Sequence, residues 1–423
     1  MKETLFAYID KAEPLAVELE TELCKRPAIA PESGGEGELD KALWLEGWLK
    51  EKGFSFRRFD IKDERAKGGI RPNLVVDIAG STAHTAPGGK SDAAPCLWIM
   101  SHLDVVPPGE MSHWESDPWK VVYKNDSPPG PRVIGRGVED NQQGLVSSLI
   151  AAMAFKETGL APAGPVKLLL CADEETGSAY GVAALLREQP GLFGGGDFVL
   201  IPDGGDPKGE TIEIAEKNLI WAEFTTKGKQ AHGSRPDLGA NAHLAGAELA
   251  VRLHYELSSA FDARDPIFEP DYSTIQPTKK DANVPNINTI PGEDRFCMDM
   301  RILPQYPAAS VLAAVDRITA EIEAKHNVKV TRRVAQCVES RATPADSPLV
   351  TALAAAVEAV YGVKTRPVGI GGGTVGAFLR NEGIHCAVWS RIDDTAHQPN
   401  EYALIANILG DAKVMAACMT GVK

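Results

Sequence analysis

The stretch CLWIMSHLD, residues 96–104, decides the fold. Cys96–Ser101 is an unbroken apolar run of strand length, as expected for a strand buried on both faces. It passes directly into His102-Leu103-Asp104, polar groups that a buried sheet does not need. Alternation along an extended chain places His102 and Asp104 on one face. Histidine is a good zinc ligand, and a carboxylate two residues on can orient it. Taken alone, a satisfied histidine at a strand end is the commoner reading.

Similar runs occur at Asn73–Ile78, Val166–Cys171 and Phe198–Ile201, with helical periodicity at Gly144–Glu157 and Tyr180–Glu188 between them. Two further helical patterns, Glu3–Lys25 and Glu38–Lys52, precede the first strand. Apolar strands separated by helices predict an α/β fold with a sheet covered on both faces. Several strands end in acids. Val133-Ile134 leads into Gly135–Asn141 with Glu139 and Asp140, Val166–Cys171 into Asp173-Glu174-Glu175, and Phe198–Ile201 into Pro202-Asp203. Ligands of open α/β sheets gather beyond the carboxyl ends of the strands, so these segments, together with His397, are expected to converge on one crevice. The adjacent pair Glu174-Glu175 is costly at a buried strand end unless a cation or a shared proton relieves it. On a solvated loop the same pair would be unremarkable.

Near Glu216 the texture changes. Alternating runs at Leu219–Thr226, Arg295–Arg301 and Val328–Arg333 are interleaved with long helical patterns at 241–260 and 308–325. This order predicts a compact, ferredoxin-like α+β insert over residues 216–334. Residues 1–215 and 335–423 would then form one discontinuous catalytic domain, completed by a helix at Pro348–Tyr361, a strand at Ala387–Trp389 and a last helix within Tyr402–Cys418. Two domains also suit a chain of 423 residues. The Ser/Thr/Gly/Pro-rich stretch Ser81–Pro95 reads as a surface loop.

A formal net charge of -14 argues against nucleic acid or an anionic membrane as partner. The seven cysteines are scattered, with no pair at thiolate-zinc or redox spacing, which fits a reducing compartment. The N-terminal stretch lacks the apolar core of a signal peptide, and no apolar run is long enough to span a bilayer. A cytoplasmic location is expected.

Eight stretches, in order, carry a resemblance: SHLDVVP (Ser101–Pro107), GRGVEDNQQG (Gly135–Gly144), DEETGS (Asp173–Ser178), IPDGG (Ile201–Gly205), KGKQAHGSRPDLGANA (Lys227–Ala242), NTIPG with DMR (Asn288–Gly292 and Asp299–Arg301), GGGT (Gly371–Thr374) and TAHQPNE (Thr395–Glu401). Together they resemble the co-catalytic zinc metallopeptidases that include acetylornithine deacetylase, succinyl-diaminopimelate desuccinylase, aminoacylase, carnosinase and peptidase T. The resemblance implies a zinc-peptidase-like domain interrupted by a dimerisation or lid domain, and a homodimer joined through that insert. It implies two zinc ions, with manganese or cobalt as substitutes, one held by His102 and Asp203, the other by Glu175 and His397, with Asp140 bridging and followed by a cis peptide. Asp104 becomes the partner that orients His102, and Glu174 the general base.

The implied substrate is a small peptide or an N-acyl amino acid, cleaved at its amide bond. His232 matches a family histidine that reaches the partner subunit's active site, though a loop histidine fits the residue equally well. Asn288, Arg301, Gly373 and Thr374 match positions that bind substrate in relatives; for Arg301 a surface salt bridge is an equal reading. The glycine loop lacks the Gly-Lys-Ser/Thr ending of a nucleotide cradle, and no Gly-x-Ser-x-Gly elbow supports a serine hydrolase. Asn141-Gln142-Gln143 departs from relatives that carry an acid or Asn followed by Lys, which puts local hydrogen bonding, not the ligands, in question. The remaining histidines, His84, His113, His243, His254, His326 and His385, are assigned to surface or packing roles.

Overall fold

The computed structural model describes residues 1–78, 94–126 and 128–421. Most of the expected loop at Ser81–Pro95, and His84 with it, lies outside these residues. The chain forms two compact units, one of Met1–Ile214, Thr343–Pro367 and Phe378–Lys423, the other of Ala215–Ala342 and Val368–Ala377. The strand Lys329–Val338 continues past residue 334, where the sequence placed the end of the insert, and the glycine loop at 371–374 groups with the second unit.

An eight-stranded mixed sheet organises the first unit. Its order is Ser55–Lys62, Ile70–Asp77, Val166–Cys171, Leu97–His102, Phe198–Asp206, His385–Arg391, Thr211–Glu216 and Arg366–Ile370. The four strands from Val166–Cys171 to His385–Arg391 run parallel, so their carboxyl ends share one edge. Every residue of Leu97–His102 and of Val166–Cys171 is buried, which is why both read as continuous apolar runs. Helix Gly144–Thr158 is buried on nearly all sides, as its apolar composition requires.

Some expectations are corrected. The pattern Glu3–Lys25 is two helices, Lys2–Ile9 and Glu13–Cys24, and Pro14 sits in the first turn of the second, where its missing N–H costs nothing. The strand from Phe198 runs on to Asp206, so Asp203 lies within a strand rather than after one. The edge strand Ser55–Lys62 is mostly exposed and carries little apolar signal.

The second unit holds a four-stranded antiparallel sheet in the order Thr274–Lys280, Glu293–Ile302, Asn218–Lys227, Lys329–Val338. Along Glu293–Ile302 every second residue is buried. That face, with Phe296, Met298 and Met300, shares one core with Leu249 and Leu253 of helix Ala242–Ala260 and Val315 and Ile318 of helix Ala308–His326. The chain order βαββαβ with two helices on one face is the ferredoxin-like arrangement.

Candidate metal centre

The shared edge of the parallel strands gathers the acids and histidines. His102 ends its strand, Glu174 and Glu175 occupy the turn after Cys171, and Asp203 projects from Phe198–Asp206. Asp140 lies in an irregular helical turn, Val138–Gln143, that leads into Gly144–Thr158, and its peptide bond to Asn141 is cis. His397 sits in the loop beyond Arg391, at φ 60°. Two glycines make these approaches possible. A Cβ on Gly144 would lie 2.4 Å from the Pro202 carbonyl oxygen, and one on Gly137, which is left-handed at φ +84°, would meet Val105 at 2.4 Å.

The distances divide the cluster about Asp140. His102 Nε2 is 2.9 Å from Asp140 Oδ1 and 3.4 Å from Asp203 Oδ1. His397 Nε2 is 3.0 Å from Asp140 Oδ2 and 3.2 Å from Glu175 Oε2. Each oxygen of Asp140 therefore faces a different imidazole. On the far side of His102, Nδ1 lies 2.9 Å from the Asp104 carbonyl oxygen, which leaves Nε2 pointing into the cluster. The Asp104 carboxylate accepts from the backbone N–H groups of Glu174 and Glu175, both at 3.0 Å, and so sets where those side chains begin. Asn141 donates to Asp203 Oδ1 at 2.7 Å and to the Pro202 carbonyl at 2.6 Å.

Burial and like charge raise the carboxyls of Glu174, Glu175 and Asp203 above the ordinary range. Burial pushes Asp140 the same way, but hydrogen bonds from His102 and His397 prevail and hold it low. Hydrogen bonds to Asp140 and Glu175 lift His397 to about 10. Burial disfavours a charged His102, yet Asp203, Asp104 and Asp140 outweigh it and raise that imidazole as well.

This donor set fits a divalent cation. Ligand atoms of His102, Glu174 and Asp203 lie within 4.8 Å of one another, as do those of His102, Asp140 and Glu175. Two carboxylates 4 Å apart repel by about 4 kcal/mol at an effective dielectric of 20, so a cluster of this kind is expensive until a cation or protons relieve it. Imidazole with carboxylate is a donor combination suited to zinc, with manganese as a harder alternative.

Two further buried acids surround the centre. Glu401 accepts from Arg136 Nη1 at 2.7 Å and from the N–H groups of Gly137, Glu139 and Asp140 at 2.8, 2.9 and 3.0 Å. Burial pushes it up to about 7 despite Arg136. Glu139 accepts from Asp393 N at 2.7 Å, from the Thr395 hydroxyl at 2.9 Å and from the Thr395 amide. Both acids stand inside the quoted motifs, yet neither was assigned a role. Most of their partners are main-chain N–H groups, which leave no trace in side-chain identity. Gln143, in the segment that departs from relatives, donates to Asp411 at 3.0 Å and to the Arg391 carbonyl at 2.8 Å, away from the cluster's carboxylates.

The other expected site residues belong to the second unit. His232 is exposed on a short ribbon, Ala231–His232 paired with Thr289–Ile290, and its Nδ1 lies 2.8 Å from Ser234 Oγ. Asn288 adjoins that ribbon, its carbonyl accepting from Gly233 N at 2.7 Å. Arg301 grips Asp299 through Nε and Nη2 at 2.7 and 3.1 Å and donates Nη1 to the Gly371 carbonyl at 2.8 Å. Thr374 donates its N–H and hydroxyl to Glu216 at 3.0 and 2.6 Å, and Gly373 precedes it in the same loop. Arg301 and the glycine loop thus come together, as do His232 and Asn288.

A mixed-sheet α/β unit thus gathers, at the shared edge of its parallel strands, a donor cluster able to hold a metal. Residues 98–421 match the family model described as peptidase family M20/M25/M40, and the chain belongs to that family, whose chemistry is metal-dependent amide hydrolysis. An uncharacterised metallohydrolase of Methanococcus maripaludis is 36% identical over 417 residues, covering 94% of this chain and 97% of the relative. A succinyl-diaminopimelate desuccinylase of Cereibacter sphaeroides is 30% identical over 400 residues, covering 93% and 94%. In fold, the chain is similar to the aminopeptidase PepT of Bacillus cereus, with a TM-score of 0.74 and 17% identity over 97% of this chain and 98% of that one. Among the described residues no helix is long and apolar enough to cross a membrane.

Proposed function

We propose that this chain is a dinuclear zinc amidohydrolase that cleaves an amide bond in a small peptide or an N-acyl amino acid. One observation carries the reading: the two oxygens of Asp140 face two different histidines, each with a further carboxylate beside it. His102 and Asp203 would hold one cation, Glu175 and His397 the other, and Asp140 would bridge them. Manganese or cobalt would suit the same donors.

Bound metal would lower the pKa of water and polarise the scissile carbonyl. The protein supplies the rest. Asp104 fixes the start of the Glu174 side chain through its backbone N–H. Glu174 takes a proton from the attacking water on its carboxylate and delivers it to the nitrogen of the leaving amine. His232 stabilises the oxyanion; its Nδ1 is engaged by Ser234 Oγ, so Nε2 is the nitrogen available for this. Asn288, Gly373 and Thr374 would line the substrate. Arg301 would receive a substrate carboxylate, but only in competition with Asp299, which already occupies its fork.

The test is hydrolysis by zinc-reconstituted protein of a panel of N-acetyl and N-succinyl amino acids beside di- and tripeptides. Turnover should appear in one class, vanish with chelator and return with zinc. Activity indifferent to chelator would sink the reading. Resemblance at 30% identity to a desuccinylase favours the N-acyl arm, whereas the likeness to PepT concerns fold alone.

His232 would act across a homodimer formed through the insert. Supporting this, Leu244, Val251 and Tyr255 are exposed on helix Ala242–Ala260 at spacings that share one helical face. In the sheet beneath that helix, Thr274–Lys280 is an edge strand, the kind of element a second copy can pair with. The double variant Val251→Asp/Tyr255→Asp is expected to sediment as a monomer and to lose at least about tenfold in kcat. A monomeric wild-type protein at working concentration would refute the arrangement. The seven cysteines are all free thiols, which supports a cytoplasmic location.

A further inference from the structure

The acids Glu139 and Glu401 lie outside the proposed ligand set, yet they exchange hydrogen bonds between the two loops that carry Asp140 and His397. Glu139 precedes Asp140 and receives Asp393 N and both donors of Thr395, from the loop of His397. Glu401 follows His397 and receives Arg136 Nη1 and three backbone donors of the other loop, Gly137 N, Glu139 N and Asp140 N. Each loop thus contributes one buried carboxylate to the other, and both acids are shielded from water.

The proposed ligands differ in what holds them. His102 ends a central parallel strand and is paired there with Cys171, and Asp203, at the register shift of Phe198–Asp206, accepts from Asn141 Nδ2 at 2.7 Å. His397 has no such support: its strand ends at Arg391 and the next begins at Tyr402. Its side chain is 54% exposed, where that of His102 is 2% exposed. The contacts that place the His397 loop against Asp140 therefore include the two carboxylates.

We infer that Glu139 and Glu401 form a reciprocal clasp that sets the position of His397 relative to Asp140, and so governs affinity for the cation held by Glu175 and His397 while leaving the His102–Asp203 position largely unaffected. They are positioning residues; neither side chain is among the proposed ligands. Loss of partners that orient metal ligands weakens binding by about 10–100-fold. The inference rests on the two-cation reading.

The test is zinc titration of metal-free protein by calorimetry, with cobalt(II) absorption as a second readout of site geometry. Wild type should bind two equivalents per chain. Glu139→Gln and Glu401→Gln should bind the first equivalent within a few-fold of wild type and the second about 10–100-fold more weakly, with an altered cobalt spectrum. Thr395→Val, which removes one hydroxyl from the clasp, should shift the second equivalent in the same direction by less, and decides the matter should a glutamine variant fail to fold. Equal weakening of both equivalents, or none, overturns the clasp. A wild-type protein that binds fewer than two equivalents overturns the two-cation reading instead.

Discussion

Replacing Glu174 with glutamine is expected to lower kcat by about 10²–10⁴-fold while two metal ions per chain remain bound. The change is isosteric and leaves the backbone N–H that Asp104 holds at 3.0 Å untouched. What it removes is the carboxylate proposed to accept the proton of the attacking water. The measurement pairs steady-state kinetics with metal analysis because the geometry leaves two roles to separate. Glu174 lies with His102 and Asp203 close enough to act as a ligand. A ligand role would show as lost metal, a base role as lost turnover at full metal content.

The pH profile adds a second signature. Burial, then the charges of Asp203, Asp104 and Glu175, raise the Glu174 carboxyl. A general base works deprotonated, so wild-type kcat/KM should fall on the acid side as the Glu174 carboxyl takes up a proton. Residual activity of the glutamine variant should lack this acid limb. Unchanged turnover in the variant would rule out Glu174 as base.

The second large effect is expected from Asp140→Ala. Among the described residues Asp140 is the one carboxylate in contact with both histidines, at 2.9 and 3.0 Å, so its loss should weaken both cation positions together. Metal retained after dialysis should fall from two ions to less than one per chain. Hydrolysis should fall by about 10³-fold or more, equivalent to losing about 4 kcal/mol of transition-state stabilisation by metal. Far-ultraviolet circular dichroism should be unchanged, since Asp140 sits in a turn rather than in the sheet. Full retention of two ions would show that the bridge lies elsewhere. Asp203→Ala differs in kind, because it should release chiefly the cation shared with His102.

Much of this was legible in the residues. Leu97–His102 and Val166–Cys171 announced themselves because a strand covered on both faces needs apolar side chains throughout, and the acids that follow them stand out by contrast. Glu293–Ile302 declared its one covered face through strict alternation. Ser55–Lys62 gave little sign, since an exposed edge strand is held by main-chain pairing that many sequences support. Glu139 and Glu401 were passed over for a related reason: their partners are mostly backbone N–H groups brought near by folding.

The order of motifs along the chain was by itself enough to establish the class of fold and the candidate donors, because apolar periodicity and residue chemistry are local properties. Only the tertiary structure decided which oxygen of Asp140 faces which histidine, that the Arg301 fork is taken by Asp299, and how two carboxylates lace the loops of Asp140 and His397 together. Those relations join residues up to hundreds of positions apart. Their geometry follows from strand register and backbone path, which no single stretch of the chain encodes.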